Sequence, residues 1–160
     1  GGDFAINRII PDCIRAQQEK KAILVRNPQS IRPYQHVLEP VMAYLMIVQK
    51  QYENIHLAGW YNVGPEDRDC VSTGQLADIF CQNWGDGASW AAAPNSSAIH
   101  EANFLRLDSS KIRSVFSWKP HWSIRDAVEQ TCAWSKTWLS GGNLIDEMNR
   151  EIQKYLSDQP

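Results

Sequence analysis

The 160-residue sequence offers none of the cysteine spacings that hold zinc or cycle a disulfide. Its four cysteines, Cys13, Cys70, Cys81 and Cys132, are far apart, and no histidine stands at metal-ligand spacing from any of them. They read as reduced, mostly buried thiols of a cytoplasmic protein. Neither sign of charge is in surplus: the formal net charge is -2. This excludes the broad basic field that nucleic acid or an anionic membrane surface requires. Long hydrophobic runs are missing too. The most apolar stretch, residues 37–48, is interrupted by Glu39, Pro40 and Tyr44 and is too short to span a bilayer. There is no HExxH, no GxSxG, no triad spacing and no conspicuous carboxylate pair. No glycine-rich turn follows a strand, so no dinucleotide site is complete in this sequence. The chain opens on Gly1-Gly2-Asp3, without methionine, signal peptide or helix cap, which predicts the middle of a loop in a longer protein.

What is present is the composition of an ordinary globular domain, 43% hydrophobic and 21% charged, with length enough for one core. Residues 7–21 put Ile9, Ile10, Cys13, Ile14 and Gln17 on one face of a helix, with Pro11 tolerable in its first turn. Residues 22–26 read as a strand, 27–30 as a turn and 31–37 as an extended segment. Further helices are expected over 39–52 and 72–84, and from Asp108 or Ser109 to about Trp118. Another starts at Ser123, with Asp126 placed for a capping box, and stops at Gly141-Gly142; the last covers 143–156. Residues 60–65 and 104–107 read as strands, and 85–97 as a loop of small residues around Trp90. The expected class is α/β, mainly helices with short strands. Residues 1–160 form one domain, with 141–160 as a helical extension.

Three stretches could carry chemistry. In Arg26-Asn27-Pro28-Gln29-Ser30 and Ile31-Arg32-Pro33-Tyr34-Gln35-His36, two arginines bracket a tight turn, and Arg32, Tyr34, Gln35 and His36 can all donate to phosphate. A guanidinium offers a planar fork of donors that suits a pyrophosphate. On spacing alone, surface arginines in weak ion pairs fit equally well, and His36 alone is more often a satisfied structural histidine. In Gly59-Trp60-Tyr61-Asn62-Val63-Gly64-Pro65, the Asn62 amide can read a base or sugar edge or simply form a turn. His100-Glu101 can meet phosphate or ribose, or be a solvated loop. The seven tryptophans raise the chance of stacking on a base, although most belong in the core.

Taken together, residues 1–12, 26–40, 59–65, 84–90, 100–111 and 118–122 resemble the CDP-glucose 4,6-dehydratases, of the extended short-chain dehydrogenase/reductase superfamily. The likeness runs from Gly1 to about Trp138, and blocks 31–40 and 84–90 separate this family from dTDP-glucose and UDP-sugar relatives. It implies the carboxyl-terminal, sugar-nucleotide-binding half of such an enzyme. The Rossmann half that binds NAD, and the Ser/Thr, Tyr and Lys of catalysis, would precede Gly1. The implied reaction converts CDP-D-glucose to CDP-4-dehydro-6-deoxy-D-glucose and water through bound NAD, for deoxysugars of bacterial surface polysaccharide. A homo-oligomer through the missing domain is implied, as is an isolated chain that is inactive, exposes an apolar face and self-associates.

The resemblance also assigns roles. Arg32 matches the arginine that clamps the pyrophosphate, and Asn62 an amide near the nucleotide. Arg8 and Ile9 open the helix lining the nucleotide pocket. Arg26 ends the strand facing the base and could help choose cytosine. His100 and Glu101 stand where relatives often carry a second phosphate-binding arginine, which is absent here. Asp3 falls in the interdomain loop, near the sugar. His36 could order the loop behind Arg32 rather than touch ligand.

Overall fold

A computed structural model describes residues 4–94 and 104–158. In chain order the elements are α1 (Ile9–Gln18), β1 (Ile23–Val25), α2 (Leu38–Glu53), α3 (Thr73–Trp84), β2 (Trp90–Ala92), α4 (Ser110–Phe116), α5 (Ile124–Leu139) and α6 (Leu144–Ser157). α1 starts later than its periodicity predicts because Asn7 takes a left-handed turn, φ 64°, immediately before it. Ser123 and Asp126 form the expected capping box of α5, and the Asn143 side chain caps α6 through the N–H groups of Ile145 and Asp146.

β1 and β2 pair in parallel, with Ile23 opposite Trp90 and Val25 opposite Ala92. A parallel pair needs a long crossover, and this one contains α2 and α3. β2 lies within the stretch expected to be a loop. Gly85 and Gly87, both at positive φ, reverse the chain after α3 and return it beside β1. The strand expected at residues 60–65 does not form, because no described segment offers it a ladder. The one expected at 104–107 is reduced to a single bridge between Ile31 and Phe104.

α3 is the hub. Its Leu76, Ala77, Ile79, Phe80 and Trp84 pack with Cys13 and Ile14 of α1, Ile23 and Val25 of β1, and Ile124, Val128 and Cys132 of α5. Burial pushes the Cys132 thiol up to about 12 and raises Cys13 further, so both remain protonated and unreactive near neutrality. A second, smaller core joins Ala43 of α2, Val63, Ile112 of α4 and Trp118.

The second core is tied to α6 by buried polar groups. Glu39, in the first turn of α2, is 0% exposed. Its Oε1 accepts the backbone N–H groups of His121 (2.9 Å) and Trp122 (2.7 Å), and its Oε2 accepts the Tyr155 hydroxyl (2.8 Å). Beside it, His36 Nε2 lies 2.6 Å from Glu151 Oε1 on α6. His36 Nδ1 accepts the Leu38 N–H at 3.3 Å, which puts the ring proton on Nε2. The Trp122 ring makes T-shaped contacts with both His36 and Tyr155. A carboxylate this deep is tolerated because three donors converge on it, at least one on each oxygen. Residues 141–160, expected as an extension, thus include a helix bonded directly into the domain.

α2 also carries an outward stripe of large apolar side chains, Val41, Tyr44, Leu45, Val48 and Tyr52, and beyond its end Trp60 is 91% exposed. The isolated chain is expected to self-associate as its concentration rises in sedimentation velocity. A single monomeric boundary throughout the series would show that the stripe drives no association. For the buried cluster, Tyr155→Phe leaves one Glu39 oxygen without its donor and is expected to cost about 2 kcal/mol in urea unfolding at neutral pH. Burial, with Glu39 beside it, raises the Tyr155 hydroxyl above its ordinary value of 10. Its contribution is therefore complete below that pH and is lost as the pH rises, when the unfolded phenol ionises first. The urea midpoint of the parent should fall above pH 10, and the Phe variant should fall less.

Candidate functional site

The turn after β1 is held from behind by the first turn of α3. Initial N–H groups of a helix have no partner within it. Here Thr73 N–H donates to the Ser30 carbonyl (2.9 Å) and Gly74 N–H to the Pro28 carbonyl (2.8 Å). The Thr73 hydroxyl adds a second bond to Ser30 at 3.0 Å. Ser72 and Gln75 close a capping box at the same place. Ile31 then bridges Ser72, and Arg32 N–H donates to the Val71 carbonyl at 3.3 Å, so the arginine-bearing segment lies along the start of α3. Gly74 makes this approach possible. A Cβ there would sit 3.2 Å from the Pro28 carbonyl oxygen and 3.3 Å from the Trp90 ring.

In front of the turn lies a groove of about 410 Å³, lined by the start of α1, by residues 24–27, and by Ser30, Arg32, Tyr34 and Thr73. Its size is that of a small-ligand cleft. Arg8, Ile9, Arg26 and Arg32 all line it. Arg8 occupies the cap position of α1, whose end receives no side-chain cap, and Ile9, Ile10 and Pro11 of its first turn face the same groove. Arg26 Nη2 donates to the Asn7 carbonyl at 3.3 Å, and Arg32 Nη1 to the Ile31 carbonyl at 2.9 Å. The acid on this wall, Asp12, is paired with Arg15. Three arginines and the positive end of a helix therefore give the groove a field that favours an anion.

Other expected residues go elsewhere. Asn62 Nδ2 donates to the Asp108 carbonyl at 3.1 Å, against the approach to α4, and Asn62 does not line the groove. Asp3, His100 and Glu101 lie outside the described residues. Gln35 donates to the Val63 carbonyl at 3.1 Å and His36 is buried against Glu151, so neither turns toward phosphate. Thr73 and the close approach at Gly74 were not among the expected site residues. The Ser72-x-x-Gln75 capping signature was the available signal, since a glycine near a helix start otherwise marks only a weak helix former.

No protein-family model matches the chain. Among solved structures, it superposes with a TM-score of 0.68 on a UDP-glucuronic acid 4-epimerase mutant from Bacillus cereus in complex with UDP-4-deoxy-4-fluoro-glucuronic acid and NAD. Identity is 16%, and the match covers 82% of this chain and 40% of that one. UDP-N-acetylglucosamine 4-epimerase from Bacillus cereus gives 0.62 at 17% identity, over 83% of this chain and 44% of that one. The fold is thus that of the carboxyl-terminal portion of extended short-chain dehydrogenase/reductase epimerases.

The particular relative is CDP-glucose 4,6-dehydratase of Salmonella typhimurium (strain LT2), 37% identical over 158 residues. That match takes in 98% of this chain and 44% of the relative, so the chain spans less than half the length of the protein it resembles. The resemblance read from the motifs is borne out, and homology to a sugar-nucleotide dehydratase covers nearly the whole chain.

The close approach of α3 to the turn is testable. Gly74→Val forces two methyl groups toward Pro28 and Trp90 and is expected to lower stability by about 1–3 kcal/mol, read as the urea midpoint. An unchanged or raised midpoint would mean that the turn gives way freely.

Proposed function

We propose that this chain is the nucleotide-sugar-binding part of a CDP-glucose 4,6-dehydratase, a cytoplasmic enzyme that converts CDP-D-glucose to CDP-4-dehydro-6-deoxy-D-glucose and water. The observation that carries the reading is the meeting of Arg8, Arg26 and Arg32 in one groove, in a chain homologous to such an enzyme. Arg32 is the pyrophosphate clamp. Its backbone is fixed to Val71, and a guanidinium fork can engage two phosphate oxygens at once. Arg8 and the open end of α1 add positive potential, and Ile9 supplies an apolar wall. Arg26, a donor-only group on the same wall, suits the adjacent ring nitrogen and carbonyl of cytosine, both acceptors.

One of the two Asn62 amide N–H groups is bonded to the Asp108 carbonyl, so Asn62 enters this reading through its amide oxygen or its second N–H. Asp3, His100 and Glu101 are proposed to face the sugar and phosphates. The reaction needs NAD, whose chemistry is the removal of hydride and its return. The described residues do not fit that group: β1 runs into Asn27-Pro28-Gln29-Ser30, and no glycine-rich turn leads from strand to helix. The chain's own part is binding. The dinucleotide, the Ser/Thr, Tyr and Lys of catalysis, and the contacts of a homo-oligomer belong to the remainder of the proposed enzyme.

Calorimetric titration of CDP, UDP and dTDP into protein carrying this chain with its NAD-binding part tests the reading. CDP should bind best, and Arg32→Ala should cost about 2 kcal/mol or more, as when one end of a charged pair is removed. Equal binding of UDP or dTDP would instead favour a dehydratase or epimerase acting on another nucleotide sugar. No effect of Arg32→Ala would remove its assigned role.

A further inference from the structure

His36 and Glu151 do not line the groove, yet they hold the end of the segment that brings Arg32 into it. Both are buried, His36 at 6% and Glu151 at 7% exposure. The His36 ring makes two bonds of opposite sense. Nδ1 accepts the Leu38 N–H at the start of α2, so it carries no proton. The ring proton is then on Nε2, which donates to Glu151 Oε1 at 2.6 Å. In the other tautomer Nδ1–H would face the Leu38 N–H, donor to donor, and Nε2 would face a carboxylate with no proton between them. Which ring nitrogen is protonated follows from the hydrogen bonds the ring makes. Glu151 therefore fixes both the tautomer and the direction of the ring.

Pro33, Tyr34 and Gln35 separate Arg32 from His36, and little freedom is left in them. The Pro33 ring fixes its own φ. Tyr34 N–H returns to the Arg32 carbonyl at 3.0 Å. The Gln35 side chain is tied to the Val63 carbonyl at 3.1 Å. The ring of His36 is thus a fixed point close behind the arginine in the chain. We infer that Glu151, distant in sequence on α6, is a positioning residue for anion binding in the groove: it holds His36, and through His36 the path of the chain that presents Arg32. The inference rests on the nucleotide-binding reading above and deepens it, since it adds α6 to the parts that set affinity. Binding groups keep their geometry only when the residues behind them are locked by packing and hydrogen bonds. Here the packing is supplied by the Trp122 ring against His36, and the hydrogen bond by Glu151.

The experiment measures the CDP dissociation constant on protein carrying this chain with its NAD-binding part. The forms compared are wild type, Glu151→Gln, Glu151→Leu, Arg32→Ala and the Arg32→Ala, Glu151→Leu double variant. Nitrogen NMR shifts of the His36 ring report its tautomer in each. Glu151→Leu removes the acceptor and should weaken CDP binding by up to about tenfold, the scale of one lost hydrogen bond, with the Nε2–H tautomer no longer enforced. Glu151→Gln keeps an acceptor oxygen, and should keep the tautomer and bind CDP as wild type does. In the Arg32→Ala background Glu151→Leu should cost nothing further, because its effect passes through that arginine. Glu151→Asp, whose acceptor is withdrawn by one methylene, takes the place of the Leu variant if that protein does not fold, with the same outcomes. A lowered urea midpoint with unchanged CDP binding would leave Glu151 a purely structural residue. Beside a wild type that binds CDP and loses affinity in Arg32→Ala, that result overturns this inference alone. Equal losses with and without Arg32 overturn it in the same way. A wild type that binds no CDP, or an Arg32→Ala variant as tight as wild type, overturns it together with the functional reading or the role of Arg32 within it.

Discussion

The first turn of α3 is the constraint on which the groove depends. A helix must find partners for its leading N–H groups, and this one finds them in the Pro28 and Ser30 carbonyls of the turn that carries the arginines. The helix cannot leave without stranding two donors, and the turn cannot shift without stranding two acceptors. Because α3 is also the hub of the larger core, through Leu76, Phe80 and Trp84, the rigidity of that core passes directly to Ser30 and on to Arg32. A loop held this way is ordered in advance, which would lower the entropic cost of binding any ligand in the groove. It also explains why α3 presents no anion site of its own: the donors that would hold an anion already hold the protein.

Glu39 does comparable work beyond His36. One buried carboxylate joins α2, the backbone at His121 and Trp122, and α6 through Tyr155. His36 and Glu151 run a second bond between the same parts. The segment carrying Arg32 is therefore fixed at both ends, at Ser30 by α3 and at His36 by α6, with only a few residues between. Polar anchors of this kind are costly to bury and costly to break singly, but they specify one register where apolar contacts alone would tolerate several.

The helices and their caps were legible because their signals are local. Ser123 with Asp126, and Asn143 before an apolar period, decide helix starts within a few residues of chain. The strand at Trp90–Ala92 was not, since three residues with mostly exposed small side chains carry no period, and their pairing with β1 is set by contacts far away in sequence. Residues 60–65 failed in the opposite sense: their pattern suits a strand, but a strand is a relation between two segments, and no described segment supplies the second. Within the site, the arginines could be named from their spacing and resemblance. The bonding of Tyr34, Gln35 and His36 could not. All three read as phosphate donors in sequence, yet one shares a hydrogen bond with Thr73, one donates to Val63, and one is buried against Glu151.

Those diversions sharpen what the groove can do. Gln35 and His36 are bonded elsewhere, and among the described residues the cationic groups that line the groove are Arg8, Arg26 and Arg32, beside the uncapped end of α1. A site built that way attracts charge strongly but moves no proton at neutral pH, because arginine does not release one. Guanidinium groups are thus suited to holding an anion rather than to passing a proton.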